Sequence, residues 1–414
     1  LKPVQSSTAF TETQVHAQAH TTTFAVLFAV SFCHLLNDMM QSLMSAIYPQ
    51  LKESLELNFA QVGIISATYQ LTASMLQPLV GYFADKRPMP FSLPVSMAFT
   101  LVGLVALSQS HTYLLLILAA ALVGLGSAIF HPESSRVARM ASGGRFGLAQ
   151  SLFQVGGNLG QAIGPLMAAA IVVTFGQGSI GWFALMALLS IIVLYNVGRW
   201  YKHHGIARIK ASAKLSRPPE LSRAGLIGAI TVLMALIFSK QIYFAAIGSY
   251  YTFYLIERFG VSLQAAQVYL FLFLAPVAIG TLAGGLLGDR FGRKHVIWFS
   301  VLGALPFTLA LPFVDLFWTA VLSIFIGLTL SSSFPAIVVY AQELMPHRVG
   351  AISGLFFGFA FGLSGIGAAA LGWLADFTSI EFVYLICSIL PALGLLAAFL
   401  PDLKTAKGAA APAE

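Results

Sequence analysis

Charge is what this sequence has least of. Its 15 acidic and 22 basic residues in 414 amount to 9% charged, against 58% hydrophobic and a mean hydropathy of +0.84. A soluble domain carries about a quarter charged residues, so a water-soluble fold is excluded at the outset. Cysteine is nearly absent: Cys33 and Cys387 both fall inside apolar runs. That excludes a disulfide framework and a multi-cysteine metal centre. No phosphate-cradling loop follows a soluble strand, and no polar stretch is long enough for a nucleotide-hydrolysing domain.

What is there is apolar sequence in pieces of membrane-crossing length. A helix needs about 20 residues to span a bilayer, and such runs stand at roughly 24–48, 60–83, 91–109, 112–132, 147–174, 179–199, 224–256, 265–288, 296–314, 316–341, 350–374 and 379–400. They predict an all-α integral membrane protein of twelve spans, since a lipid-exposed segment must satisfy its own backbone. The first run is too long, and too polar at its centre, for a cleaved leader. Residues 1–22 and 403–414 read as disordered cytoplasmic tails.

The net charge of +7 is distributed by side. With the N-terminus in the cytoplasm, the connections on that side carry Lys86, Arg87, Arg136, Arg139, Arg145, the seven basic residues of 199–223, Arg290, Arg293, Lys294 and Arg348. Only Lys52 and Arg258 fall on the other side. This is the positive-inside pattern, so the basic balance reports topology and not nucleic-acid binding. The longest polar connection, 201–222, divides the spans into a half at 23–200 and a half at 223–402, and its Lys, Arg, Ser and Pro content reads as a cytoplasmic linker.

The two halves repeat. GYFAD at 81–85 follows span 2, and GLLGDRFGRK at 285–294 follows span 8, placing Asp85 and Asp289 204 residues apart. At an offset of 203, Gly147, Leu152, Phe153, Ile163 and Gly164 meet Gly350, Leu355, Phe356, Ile366 and Gly367. Parallel six-span repeats place a substrate site near the midplane between halves. The loop motif, strong in the second copy and shorter in the first, where Lys86-Arg87-Pro88 follow Asp85, resembles that of the major facilitator superfamily. The resemblance implies a gate built from Gly81, Asp85, Gly285, Asp289, Arg290, Gly292 and Arg293, with Asp and Arg pairing across a contact that breaks as the halves rock. GQAIGP at 160–165 resembles the signature of that superfamily's drug–proton exchangers. Its Gly160 and Gly164 favour close helix packing, and Pro165 should bend the helix.

Polar groups at membrane depth are costly, and they mark function. His34, Asp38, Gln41 and Ser45 lie on one face of span 1, with Asn37 beside them. Low dielectric favours a neutral carboxyl and a nearby cation favours an ionised one, so Asp38 is the first candidate for proton coupling. Lys240, the only basic residue in mid-membrane, corresponds to Asn37 in the repeat. Together the two charges predict a shared central cavity in which Lys240 attracts an anionic substrate. The alternative is a static Asp38–Lys240 pair. Tyr243, Tyr250 and Tyr251 follow Lys240 at near-helical spacing as further binding candidates, and Tyr254 fits an interfacial anchor. Span 5 adds Gln154 and Asn158 on a stripe with Gln150 and Gln161. In span 4, His131 precedes Pro132, which should kink the helix, and Glu133 and Arg136 can pair three residues apart. Tyr340 and Glu343 stand near the end of span 10. Glu133 and Glu343 are second candidates for the proton; His34, Asn37 and Gln41 of span 1, with His131, Arg136 and Tyr340, join the substrate set.

The expected activity is secondary active efflux of a small anionic drug in exchange for protons, by a monomer in the bacterial inner membrane with both termini cytoplasmic. The same resemblance admits proton-coupled uptake of a small organic anion. An embedded enzyme or sensor is the remote alternative, since His34, His131 and Glu133 form no close metal-ligand spacing. No metal, cofactor or nucleic-acid partner is expected.

Overall fold

The computed structural model describes residues 22–46, 51–52, 54–206 and 221–403. The two predicted tails, apart from Thr22 and Leu403, and the body of the linker lie outside these residues. Among the described residues the regular structure is all helical, with no strand, and ten of the helices are long and apolar enough to cross a membrane. The other two spans explain the difference from twelve. Span 2 is divided into Phe59–Met75 and Gln77–Lys86, where Pro78 enters the first turn of the second piece. Span 3, Ser92–Ser108, is a single 17-residue helix. The remaining principal helices are Phe24–Ala46, Tyr113–Ala141, Phe146–Met167, Ala184–Trp200, Arg223–Phe259, Leu263–Phe291, Arg293–Leu302, Leu316–Leu344, Val349–Phe377 and Ile380–Ile389. They form two six-helix halves.

Two local departures have clear causes. Pro165 lies inside Phe146–Met167, where it contributes no N–H, and the chain widens into a π-helical turn at Ala168–Val172. Span 6 also runs on through Tyr201–Gly205, so the first residues assigned to the linker are helical. The Tyr201 ring is buried, 5.7 Å from the Arg136 guanidinium, and this holds that turn against the bundle.

Within the first half, span 1 lies along span 5. A side chain at Gly160 would strike the backbone of Leu35, and one at Gly164 that of Met39. Small residues thus set the spacing, as membrane helices without a hydrophobic driving force require. Between the halves, span 5 packs on span 8 and span 2 on span 11. Each seam has a glycine pair: a Cβ on Gly285 would meet the Gly147 carbonyl, and one on Gly81 the Gly350 carbonyl. Spans 1 and 7 share no such seam. Gly285→Val should therefore hold spans 5 and 8 apart at this end, read as a longer distance between spin labels on the two spans. Gly63→Val, whose added Cβ meets nothing within 4 Å, should leave that distance unchanged.

Candidate functional site

The free N–H groups in the first turn of a helix attract an anion, and both motif aspartates exploit this across the seam between halves. Asp289 accepts from Gly147 N and Leu148 N, each at 2.9 Å, at the start of span 5. Asp85 accepts from Gly350 N at 2.9 Å and Ala351 N at 2.8 Å, at the start of span 11. The expected Asp–Arg pairs do not cross that seam. Arg293 binds Asp289 at 2.8 Å and Glu343 at 3.1 Å within its own half. Arg136 binds Glu133 at 3.4 Å and Asp85 at 3.7 Å within the other. Backbone N–H groups make the crossing because they are unpaired where the helices begin. Gly292 caps span 8 with a φ of 92°, while Arg290 is exposed beside Phe291 and takes no part in the clamp. Glu133 also accepts from Ser92 at 3.1 Å. The two secondary carboxylates thus sit in the arginine clusters at the basic end.

A neutral network lies beside the clamps. Ser135 donates to Gln150 at 2.8 Å, and Gln342 donates to Ser135 at 3.0 Å and to Ser353 at 2.9 Å. Arg139 donates to Gln342 at 3.1 Å, between positions 203 residues apart. That separation is the repeat offset, which also relates Gln150 to Ser353, and is the one signal by which sequence could have found this network. A hydrogen bond to a charged group contributes about 1.5–3 kcal/mol. Asp289→Asn should therefore open this end more often: a cysteine placed at Ser135 should react with a thiol reagent about 10- to 100-fold faster than in the parent.

Deeper in the first half, Asp38 is the centre of a buried cluster. His34 Nε2 lies 3.4 Å from Oδ2 and His131 Nε2 3.3 Å from Oδ1. Asn37 donates to Oδ1 at 3.0 Å and Gln161 to Oδ2 at 2.9 Å. The other ring nitrogens face carbonyls, His34 Nδ1 at 2.7 Å from Phe153 O and His131 Nδ1 at 3.0 Å from Ser127 O. Gln41 closes the group by accepting from Tyr69 at 2.7 Å and Ser127 at 3.2 Å. Gly157 provides the space, since a Cβ there would strike both His34 and Asp38. The two imidazoles and the carboxylate offer ligand atoms within 4.8 Å of one another. Each imidazole, however, addresses its own oxygen, and both oxygens already accept an amide N–H. The donor set fits two separate N···O edges better than one metal ion.

Lys240 lies apart from this cluster. It is 7% exposed, and its ammonium rests over Phe334 at 4.6 Å and Phe244 at 4.9 Å, with no ion pair or hydrogen bond to another described residue. The static Asp38–Lys240 pair is absent among the described residues. Aromatic contacts connect the two places instead: His131 to Phe357 at 5.6 Å, Phe357 to Phe334 at 5.4 Å, and Phe334 to Lys240. Sequence reasoning missed this phenylalanine partition because apolar residues in a span carry no distinguishing signal.

The remaining candidates scatter. Asn158 crosses to Thr281 of span 8 at 3.0 Å, and Gln154 is buried one turn below it. Tyr243, Tyr251 and Tyr254 are buried with Tyr384 in the core of the second half. Tyr251 bonds Ser323 at 2.5 Å, and Tyr254 is no interfacial anchor. Tyr250 donates to Ala368 O at 2.6 Å, and Tyr340 donates to Pro401 O at the chain's far end. In each case the hydroxyl or ring is used within the second half.

Twelve spans in two repeated halves, clamped at one end through paired loop motifs, define a multi-span membrane transporter. The chain belongs to the Major Facilitator Superfamily, whose model matches residues 30–275 and 233–414. It is 57% identical over 382 residues to the Escherichia coli K12 fosmidomycin resistance protein, covering 92% of this chain and 94% of that one. It is 42% identical over 384 residues to the uncharacterized MFS-type transporter YfnC of Bacillus subtilis 168, with the same coverage. The solved E. coli fucose:proton symporter superposes with a TM-score of 0.70 at 16% identity, over 92% of this chain and 98% of that one. The human organic anion transporter MFSD10 gives 0.71 at 14% identity, over 91% and 99%. These last two share the fold.

Proposed function

We propose that the protein exports a small anionic drug, with fosmidomycin as the first compound to test, in exchange for protons by alternating access. Lys240 carries this reading. A buried ammonium with no described anionic partner is costly to retain, and an anionic substrate such as a phosphonate satisfies it. Asp38 and its two histidines are the proton-coupling group, the phenylalanines between them and Lys240 keeping the two charges distinct. The glutamates Glu133 and Glu343 belong to the gate in this account.

The basic end is cytoplasmic by the positive-inside rule, as are the 201–222 linker and both tails, in a bacterial inner membrane. A structure clamped at that end is then closed toward the cytoplasm. The energetics suit export. With a negative interior, each negative charge leaving and each proton entering gains about 2.3 kcal/mol per 100 mV. The neighbouring alternative is uptake of a small organic anion with protons. Inverted membrane vesicles separate the two: under an inward-acid gradient they should accumulate fosmidomycin, and a protonophore should abolish the accumulation. Accumulation that persists with the gradient collapsed overturns proton coupling.

A further inference from the structure

We propose that His34 and His131, and not the Asp38 carboxyl alone, hold the transported protons. The cluster is a two-edge unit in which Asp38 is the fixed anion. This rests on the proton-coupled reading above and assigns its carriers.

Donors and acceptors around the two rings fix where their hydrogens sit. A backbone carbonyl only accepts, so the Nδ1 of each imidazole facing one must carry its hydrogen. That holds for His34 against Phe153 O at 2.7 Å and for His131 against Ser127 O at 3.0 Å, where the Ser127 hydroxyl, 3.3 Å from the same nitrogen, gives its hydrogen to Gln41. The tautomer of each neutral ring is thereby fixed, and its Nε2 is a bare lone pair. Both Nε2 atoms are buried without a hydrogen-bond partner, and each lies beside a carboxylate oxygen, 3.4 and 3.3 Å away. Lone pair faces lone pair on each edge until a proton enters.

A proton arriving from water bonds to Nε2, donates to the facing oxygen, and leaves the ring as an imidazolium. When Nε2 later releases it to the opposite aqueous side, the ring returns to its neutral tautomer without any change at Nδ1. The cluster therefore passes through net charges of −1, 0 and +1, with one exchangeable proton per edge. Asp38 serves this without itself taking up a proton, because Gln161 and Asn37 hold each oxygen as an acceptor.

The two rings lie edge to face, 5.1 Å between centroids, so the second proton meets the charge of the first across the carboxylate they share. Span 5 stacks Phe153 on His34 at 4.0 Å and brings the Gln161 amide to the Asp38 carboxylate. Span 11 presents Phe361, 4.8 Å from His131, and Phe357. Span 2 reaches Gln41 through the Tyr69 hydroxyl. Among the described residues, Asp38 is the one charged group in contact with either ring.

The test uses full-length protein with ¹⁵N-labelled histidine in lipid, followed by NMR across the pH range of transport, alongside drug-driven proton flux in liposomes. Both buried rings should change from one bare and one protonated nitrogen to two protonated nitrogens, and fosmidomycin should shift that equilibrium. His131→Gln should lower drug-driven proton flux about 100-fold or more, while His111→Gln, exposed and remote, should not. Rings that stay in the neutral form at every pH while wild-type flux continues would overturn the proposal and return the proton to Asp38. Nitrogen shifts of a metal-bound Nε2, with stoichiometric zinc in the purified protein, would overturn it too. Absence of flux in the wild type would instead sink the coupled reading on which it rests.

Discussion

Replacing Asp38 with Asn is expected to abolish drug-driven proton movement while drug binding stays within a few-fold of wild type. Asparagine keeps the shape of the side chain and one acceptor oxygen, so a bond from Gln161 or Asn37 survives. It cannot serve as an anion, and its amide NH₂ faces one of the imidazoles. The positive form of each ring then has no counter-charge at a depth where an unpaired ion costs several kcal/mol. Two to three kcal/mol of that penalty suffices for a loss of about 100-fold in flux, measured with a pH-sensitive dye inside liposomes. Drug binding should persist because Lys240 is a separate group, beyond Phe357 and Phe334. A mutant with normal proton flux would remove Asp38 from the coupling mechanism and leave the Lys240 site untouched.

The second large effect belongs to Lys240→Met. Removing one partner of a buried charge pair costs about 2–5 kcal/mol, so the mutant should bind fosmidomycin at least about 30-fold more weakly. Stability should move the other way. In the drug-free protein the ammonium is buried against two phenyl rings with no described anion to offset its desolvation, and methionine fills similar volume without a charge. The mutant should therefore unfold at a higher temperature than wild type when no drug is present. That opposition of binding and stability is what a substrate site predicts. A structural lysine would lose stability and binding together, and calorimetry on both proteins distinguishes the cases.

The sequence revealed the fold because its signals are local. Apolar length marks spans, arginine and lysine mark one side, and the offset between Asp85 and Asp289 marks the repeat. Span 2 still defeats a search for long helices, since Pro78 divides it. The deep site was half legible. His34 and Asp38 are one helical turn apart, so their contact follows from spacing. His131 belongs to the same cluster but stands 97 residues from His34, beside a glutamate and an arginine that suggested a different role. Only the packing of span 4 against spans 1 and 5 brings it to Asp38. The aromatic hydroxyls were illegible for the opposite reason. Tyr243, Tyr250, Tyr251 and Tyr340 have the chemistry of a binding site, yet Tyr250, Tyr251 and Tyr340 spend their hydroxyls on partners within one half and Tyr243 packs into that half's core. Spacing cannot distinguish a tyrosine that lines a cavity from one that joins two helices.

The gate shows the same division. Glycine and aspartate were recognisable as gate residues, but across the seam the partners of both aspartates are backbone N–H groups, which have no side chain to signal them. Gly147 and Gly350 had surfaced as repeat-related positions. Their place in the first turn of spans 5 and 11 makes them the acceptor-seeking ends of the clamp.

The account stands or falls on the direction of proton movement. The most direct measurement loads liposomes containing the purified protein with fosmidomycin, imposes no pH gradient, and dilutes them into drug-free buffer while internal pH is followed. Drug leaving down its gradient should drive protons inward and acidify the interior, and Asp38→Asn liposomes should show no such change. Alkalinisation, with protons leaving beside the drug, would contradict exchange and establish symport. Drug loss with no change in pH would contradict proton coupling altogether.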